Sequence, residues 1–176
     1  MKKIAITGHS RGIGKHLFDK FNPNTVGFSL SNGFDILLPE HRAQIIELSK
    51  DCDVFINNAH ASYAQTDMLI ELFDVWKDDK KLIINIGSDA TNGIKVDVHR
   101  YTFEKAALDK ASKQLSLSKS KCRVTNLRLG WVGNERIMKT FNPQSVITLD
   151  DVYDIISFII NSSSKFRACE LSISPL

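Results

Sequence analysis

The sequence has no uninterrupted apolar run of the roughly 18 residues that a membrane-spanning helix needs. Cysteine is scarce. Cys52, Cys122 and Cys169 are far apart, odd in number and form no CxxC pair, so neither a disulfide framework nor a metal site is expected. The bland reading is buried thiols in a reducing cytoplasm. Charge of neither sign is massed: 23 lysines and arginines against 20 acids leave a net charge of +3. The densest basic group, KSKCR at 119–123, reads as a solvated helix end, and basic residues do not interleave with aromatics as a nucleic-acid-binding surface would require. No repeat, linker or low-complexity tract breaks the chain, so residues 1–176 are expected to form one domain. The opening MKKIAIT runs straight into strand-like sequence without a signal-like apolar region, which predicts no secretory leader and a cytoplasmic protein.

What is present is alternation. Short apolar runs read as strands at Lys3–Thr7, Thr25–Leu30, Asp53–Asn57, Lys81–Ile86, Arg123–Leu129 and Glu170–Ser174. Between them, helical periodicity covers Gly12–Phe21, Pro39–Lys50, Thr66–Lys77 and Arg100–Ser118, and a capping-box-like Thr148-Leu-Asp-Asp151 opens a helix through Ile160. Strands alternating with helices predict an α/β fold: a doubly wound parallel sheet, Rossmann-like, in three α/β/α layers. Ligands of such sheets bind outside the carboxyl ends of the strands.

Immediately after the first strand comes ITGHSRGIGK, with Gly8, Gly12 and Gly14 opening a helix. Glycines there let the backbone approach a phosphate, and a helix N-terminus offers N–H groups and a positive dipole. A tight turn without a ligand would use glycines too.

The whole string Thr7-Gly8-His9-Ser10-Arg11-Gly12-Ile13-Gly14 resembles the TGxxxGIG motif of the short-chain dehydrogenase/reductase family, and especially the version in NADP-dependent 3-oxoacyl-carrier-protein reductases. Four further stretches are similar to family motifs, in order and each after a predicted strand. Asn57-Asn58-Ala59-His60 matches NNAG with His60 for the last glycine. Gly87-Ser88 matches the strand that delivers the catalytic serine. Tyr101-Thr-Phe-Glu-Lys105 matches YxxxK at the family's usual distance from that serine. Asn126 to Gly130-Trp-Val132 matches NxxxPG, with Leu129 for proline. The resemblance covers essentially the whole chain.

It implies an NADP(H)-dependent oxidoreductase that interconverts a carbonyl and an alcohol. Tyr101 would be the acid/base, Ser88 the partner of the substrate oxygen, and Lys105 both the stabiliser of the phenolate and a ligand of the nicotinamide ribose. The residue types suit the chemistry. Tyr101 and Lys105 lie one turn apart on a helix face. A free phenol titrates near 10, and a cation at about 4 Å in an effective dielectric of about 20 is worth roughly 4 kcal/mol, enough to bring a phenol toward neutrality. The cofactor is expected to rest on Gly8, Ser10, Arg11, Gly12, Ile13, Gly14, Ser31, Asp35, Ile36, Asn58, Ala59, Gly130 and Val132, besides Tyr101 and Lys105. Asp35-Ile36 resembles the family's adenine-contacting pair, although Asp35 could equally cap a turn. The second strand ends FSLSNG without the acid that would grip a ribose diol, and Arg11 offers a planar fork to a 2′-phosphate, so NADP(H) is favoured over NAD(H).

The chain also departs from the family. Little separates the second strand from Phe34-Asp35-Ile36, so the usual helix there is missing. The stretch between Asn58 and Ser88 is short, and the family's active-site asparagine has no counterpart. His60, Ser62 and Gln65 are the polar residues nearby. The segment after Gly130 leaves room only for a small substrate lid, with Trp131 and Phe141 expected either to line a pocket or to pack. These losses make a cofactor-binding regulatory protein with weak or lost catalysis the alternative. The helix Asp67–Lys77 carries more apolar residues than one stripe needs, which predicts a homodimer; no nucleic acid or membrane partner is expected.

Overall fold

Strands form where β-branched and aliphatic residues run together, and here the central ones are buried on both faces, as a parallel sheet under two helical layers requires, while the two edge strands are only partly covered. In the computed structural model, which describes residues 2–93, 97–133, 145–162 and 165–176, six strands form one parallel sheet. They are β1 (Ile4–Thr7), β2 (Thr25–Phe28), β3 (Val54–Asn57), β4 (Leu82–Ser88), β5 (Arg123–Leu129) and β6 (Glu170–Ile173), in the order β2-β1-β3-β4-β5-β6. The helices are α1 (Gly12–Phe21), α2 (Pro39–Leu48), α3 (Ala64–Trp76), α4 (Arg100–Ser116) and α5 (Leu149–Asn161).

Successive strand residues point to opposite faces, so two cores result. Ile4, Ile6, Val54, Ile56, Ile84 and Leu127 meet α1 and α5 through Leu17, Val152 and Ile156. Ala5, Phe55, Ile83 and Val124 meet α2, α3 and α4 through Ile45, Leu69, Leu72, Trp76 and Leu108. Cys52 and Cys122 are buried in the second core, and burial pushes the Cys122 thiol up to about 12.

The expected elements are present, with bounds that shift by a residue or two; β4, for instance, runs on to Ser88 rather than ending at Ile86. β2 ends at Phe28, not Leu30. Ser29 and Asn32 close a capping box that turns the chain into a short 3-10 helix, Leu30–Asn32, and Phe34–Ile36 then lead to α2 without forming a strand. The α3 helix begins at Ala64 rather than Thr66, and its apolar excess divides. Met68, Leu69, Leu72, Phe73 and Trp76 are buried, while Ile70 and Val75 face outward. At α5 the capping box is present: Thr148 Oγ1 accepts from Asp151 N at 3.0 Å, and Thr148 N donates to Asp151 Oδ2 at 2.8 Å. The chain leaves β1 for β2 on one side and then returns to β3 on the other. That reversal opens a crevice at the carboxyl ends of β1 and β3.

Candidate active site

The crevice is a cleft of about 520 Å³ lined by Gly8, Ser10, Arg11, Ile13, Ser31, Asp35, Ile36, Asn58, Ala59 and His60, among others. Its floor depends on small residues. Gly8 sits at φ +72°, and a Cβ there would stand 2.9 Å from Asn58 Nδ2. A Cβ on Gly14 would stand 2.2 Å from the Gly8 carbonyl oxygen, so α1 reaches this close to the turn only because position 14 has no side chain. Asn58 ties the floor together, donating from Nδ2 to Thr7 O at 3.0 Å while its own N–H reaches Thr7 Oγ1 at 3.0 Å.

No side chain caps the start of α1, so the cap residue Arg11 satisfies none of its first N–H groups, and Arg11 and Ile13 at that start line the cleft. Above the end of β2, Ser29 and Ser31 share a hydrogen bond between hydroxyls at 2.8 Å. Asp35 lines the cleft and also accepts from Leu37 N at 2.9 Å, so it is both a wall residue and a turn cap. An uncapped helix start, a guanidinium, hydroxyls and apolar walls at Phe34, Ile36 and Ala61 form a donor set that fits a dinucleotide.

The second group of residues stands beside this cleft, at the end of β4 and the start of α4. Ser88 is the last residue of β4, and its Oγ accepts from Ala90 N at 3.2 Å, which leaves its own hydrogen free to donate. Tyr101 is 37% exposed, on the first turn of α4. Lys105 is only 3% exposed, one turn further. Its Nζ donates to Gln65 Oε1 at 2.7 Å and to Ile86 O at 2.8 Å, and lies 5.7 Å from the centre of the Tyr101 ring. Burial pushes Lys105 down to about 8, against the opposing carboxylates of Asp109 and Glu104.

Gln65 was one of three nearby polar residues in the sequence, with no motif to single it out. The structure buries it in a polar ladder. Its Nε2 donates to Asn57 O, Asn57 Nδ2 donates to Asn85 Oδ1 at 2.9 Å, and Asn85 Nδ2 donates to Ser112 Oγ at 3.0 Å. His60 joins the two groups of residues: it lines the cleft, and its ring meets Tyr101 edge-on at 5.0 Å.

Gly130 and Val132 lie apart from the cleft lining, beyond β5. Gly130 N donates to Ile173 O at 2.8 Å, and Val132 is buried in a bridge with Ile147. Gly12 lies in the turn at φ +56°, with open space where a Cβ would stand. Trp131, just beyond the end of β5, is 53% exposed; Phe141 lies outside the described residues.

No protein-family profile and no curated protein matches the sequence. Solved structures match the fold along its length. A closed form of serine dehydrogenase complexed with NADP+ superposes with a TM-score of 0.81 at 16% identity, covering 98% of this chain and 94% of that one. A 4-hydroxyisoleucine dehydrogenase complexed with NADH and succinate gives 0.80 at 17% identity, covering 97% of each chain. An apo SCOR enzyme from Clostridium thermocellum gives 0.76 at 20% identity, covering 98% and 90%. The chain therefore has the fold of the short-chain dehydrogenases.

Proposed function

We propose that the protein is a member of the short-chain dehydrogenase/reductase family, one domain over residues 1–176, and an NADP(H)-dependent oxidoreductase interconverting a carbonyl and an alcohol. The observation that carries this reading is an adjacency. The glycine-turn cleft and the group Ser88, Tyr101 and Lys105 lie side by side at the carboxyl ends of β1, β3 and β4, joined by His60. The dehydrogenase fold supports it, since some structures of this fold hold NADP+ or NADPH and others NADH.

When bound, the nicotinamide supplies or accepts the hydride. The Tyr101 hydroxyl gives a proton to the substrate oxygen in reduction and takes it back in oxidation. Ser88 Oγ, whose acceptor side is used by Ala90 N, donates to the same oxygen as negative charge gathers there. Lys105 has three N–H donors, of which Gln65 and Ile86 take two; the third remains for the ribose or the phenol side. Arg11, with Ser29 and Ser31 in place of an acid, favours a 2′-phosphate. The exposed Ile70, Val75 and Phe103 on α3 and α4 support a homodimer. No helix among the described residues is long and apolar enough to cross a membrane.

Titration of NADPH and NADH by fluorescence, followed by a screen of small carbonyls with wild type and Tyr101→Phe, tests the proposal. NADPH should bind, and Tyr101→Phe should lose about 100-fold or more in turnover. Binding without Tyr101-dependent turnover would instead make the protein a cofactor-binding regulator. Failure to bind either nucleotide would overturn both readings.

A further inference from the structure

The loop between β3 and α3 is fastened to the start of α4 by a charged cluster that the proposed chemistry does not use. His60 Nε2 lies 3.0 Å from Glu104 Oε2. Glu104 is 6% exposed, and its other oxygen accepts from Arg100 Nε at 2.8 Å. Arg100 in turn donates to Ser62 Oγ at 3.0 Å, returning to the loop it started from. Ser62 holds φ +50°, a left-handed conformation that a non-glycine residue rarely adopts, so this loop is kept in a particular shape rather than left to relax.

The cluster ends on Tyr101. Two rings and a cation stand around the Tyr101 ring: His60 at 5.0 Å, His99 at 6.2 Å and Lys105 Nζ at 5.7 Å. His99 sits two residues away on the same chain segment and bonds Thr102, so it moves with Tyr101. Lys105 belongs to the same helix. His60 is the ring contact contributed by a different element, and it is braced by a buried carboxylate.

Glu104 is drawn below the usual carboxylate value: burial pushes it up, but the Arg100 hydrogen bond and the neighbouring His60 and Arg100 charges outweigh that. The carboxylate is thus an acceptor, and His60 Nε2 carries the shared proton. Burial and the Lys105 cation together hold His60 below its ordinary value, against the pull of Glu104, so the ring facing the phenol is neutral near pH 7.

We propose that His60 is a positioning residue for Tyr101: its ring, packed edge-on against the phenol, fixes the direction of Tyr101 at the mouth of the cofactor cleft. The proposal rests on the oxidoreductase reading for its consequence in turnover, but the contact itself can be tested without a substrate. Two substitutions separate ring from hydrogen bond. His60→Gln keeps a donor for Glu104 and removes the ring, whereas His60→Phe keeps a ring and removes the donor.

With ring-labelled tyrosine, the chain gives three tyrosine signals, and Tyr101→Phe identifies the relevant one. Nuclear Overhauser contacts between the His60 and Tyr101 rings are expected in the wild type. The Tyr101 signal should move in His60→Gln and stay near its wild-type place in His60→Phe. In NADPH-dependent reduction of ethyl acetoacetate, His60→Gln should lose about tenfold in kcat with little change in KM for NADPH, and His60→Phe should recover most of that loss. A Tyr101 signal in folded His60→Gln that superimposes on the wild type overturns the proposal, as does a His60→Phe variant as impaired as His60→Gln. Turnover that survives Tyr101→Phe overturns the oxidoreductase reading instead, and the tyrosine signals then decide the positioning role by themselves.

Discussion

Gln65 holds Lys105: the lysine Nζ donates to the amide oxygen at 2.7 Å, inside a site where only 3% of the lysine is exposed. A buried ammonium needs such partners, because desolvation disfavours the charged form. Gln65 and the Ile86 carbonyl supply them, and the carboxylates of Asp109 and Glu104 add favourable charge nearby. The cation proposed to serve the active site is therefore one that the fold itself holds at a cost.

That cost is measurable through pH. Lys105 titrates at about 8 in the folded chain against 10.5 when unfolded, so carrying its charge below pH 8 costs the native state about 3 kcal/mol. Between about 8 and 10.5 the unfolded chain binds the extra proton, and native stability rises with pH on account of this group. Lys105→Met removes the effect. Urea denaturation of the two proteins should show the stability of Lys105→Met relative to wild type falling by about 3 kcal/mol between pH 7 and pH 11. A difference that stays constant across that range would contradict the depressed lysine.

Arg11 stands exposed at the start of α1, beside Ser31 and the end of β2. If it meets a 2′-phosphate, Arg11→Ala should weaken NADPH binding about tenfold, the equivalent of about 1.4 kcal/mol, and leave NADH almost unchanged. Equal losses for both nucleotides, read by fluorescence titration, would assign Arg11 to the pyrophosphate common to the two.

The glycine turn makes a sharper prediction. Gly14→Ala would place a methyl 2.2 Å from the Gly8 carbonyl oxygen, and because that oxygen is backbone, the turn itself must move. A stability loss of about 1–3 kcal/mol and loss of measurable nucleotide binding are expected. Gly12→Ala meets open space and pays only for its φ of +56°, about 1–2 kcal/mol, so the pair separates crowding from backbone strain. Thermal denaturation and a nucleotide titration of both variants make the comparison.

Much of the fold was legible because its signals are local. The sequence marks α1 at Gly12–Phe21 and β5 at Arg123–Leu129 with the same bounds that the structure has, since glycine, β-branched runs and capping residues act on their near neighbours. The end of β2 was less legible. FSLSNG reads as a continuing strand, but the Ser29–Asn32 capping box competes with the sheet and wins at the sheet's edge, where β2 has a neighbour on only one side.

The sequence by itself determined the alternation of strands and helices, the glycine turn and the order in which Asn58, Ser88, Tyr101 and Lys105 follow their strands. Only the tertiary structure decided which polar residues surround the last two. Gln65 reaches Lys105 because α3 packs against α4, and His60 reaches Tyr101 because the loop after β3 is bound back to Glu104 and Arg100. Neither partner is set by residue type or spacing: a glutamine or a histidine carries no local preference for a lysine or a tyrosine some forty residues away. The lysine–glutamine pair exists only once burial has removed water as the alternative partner.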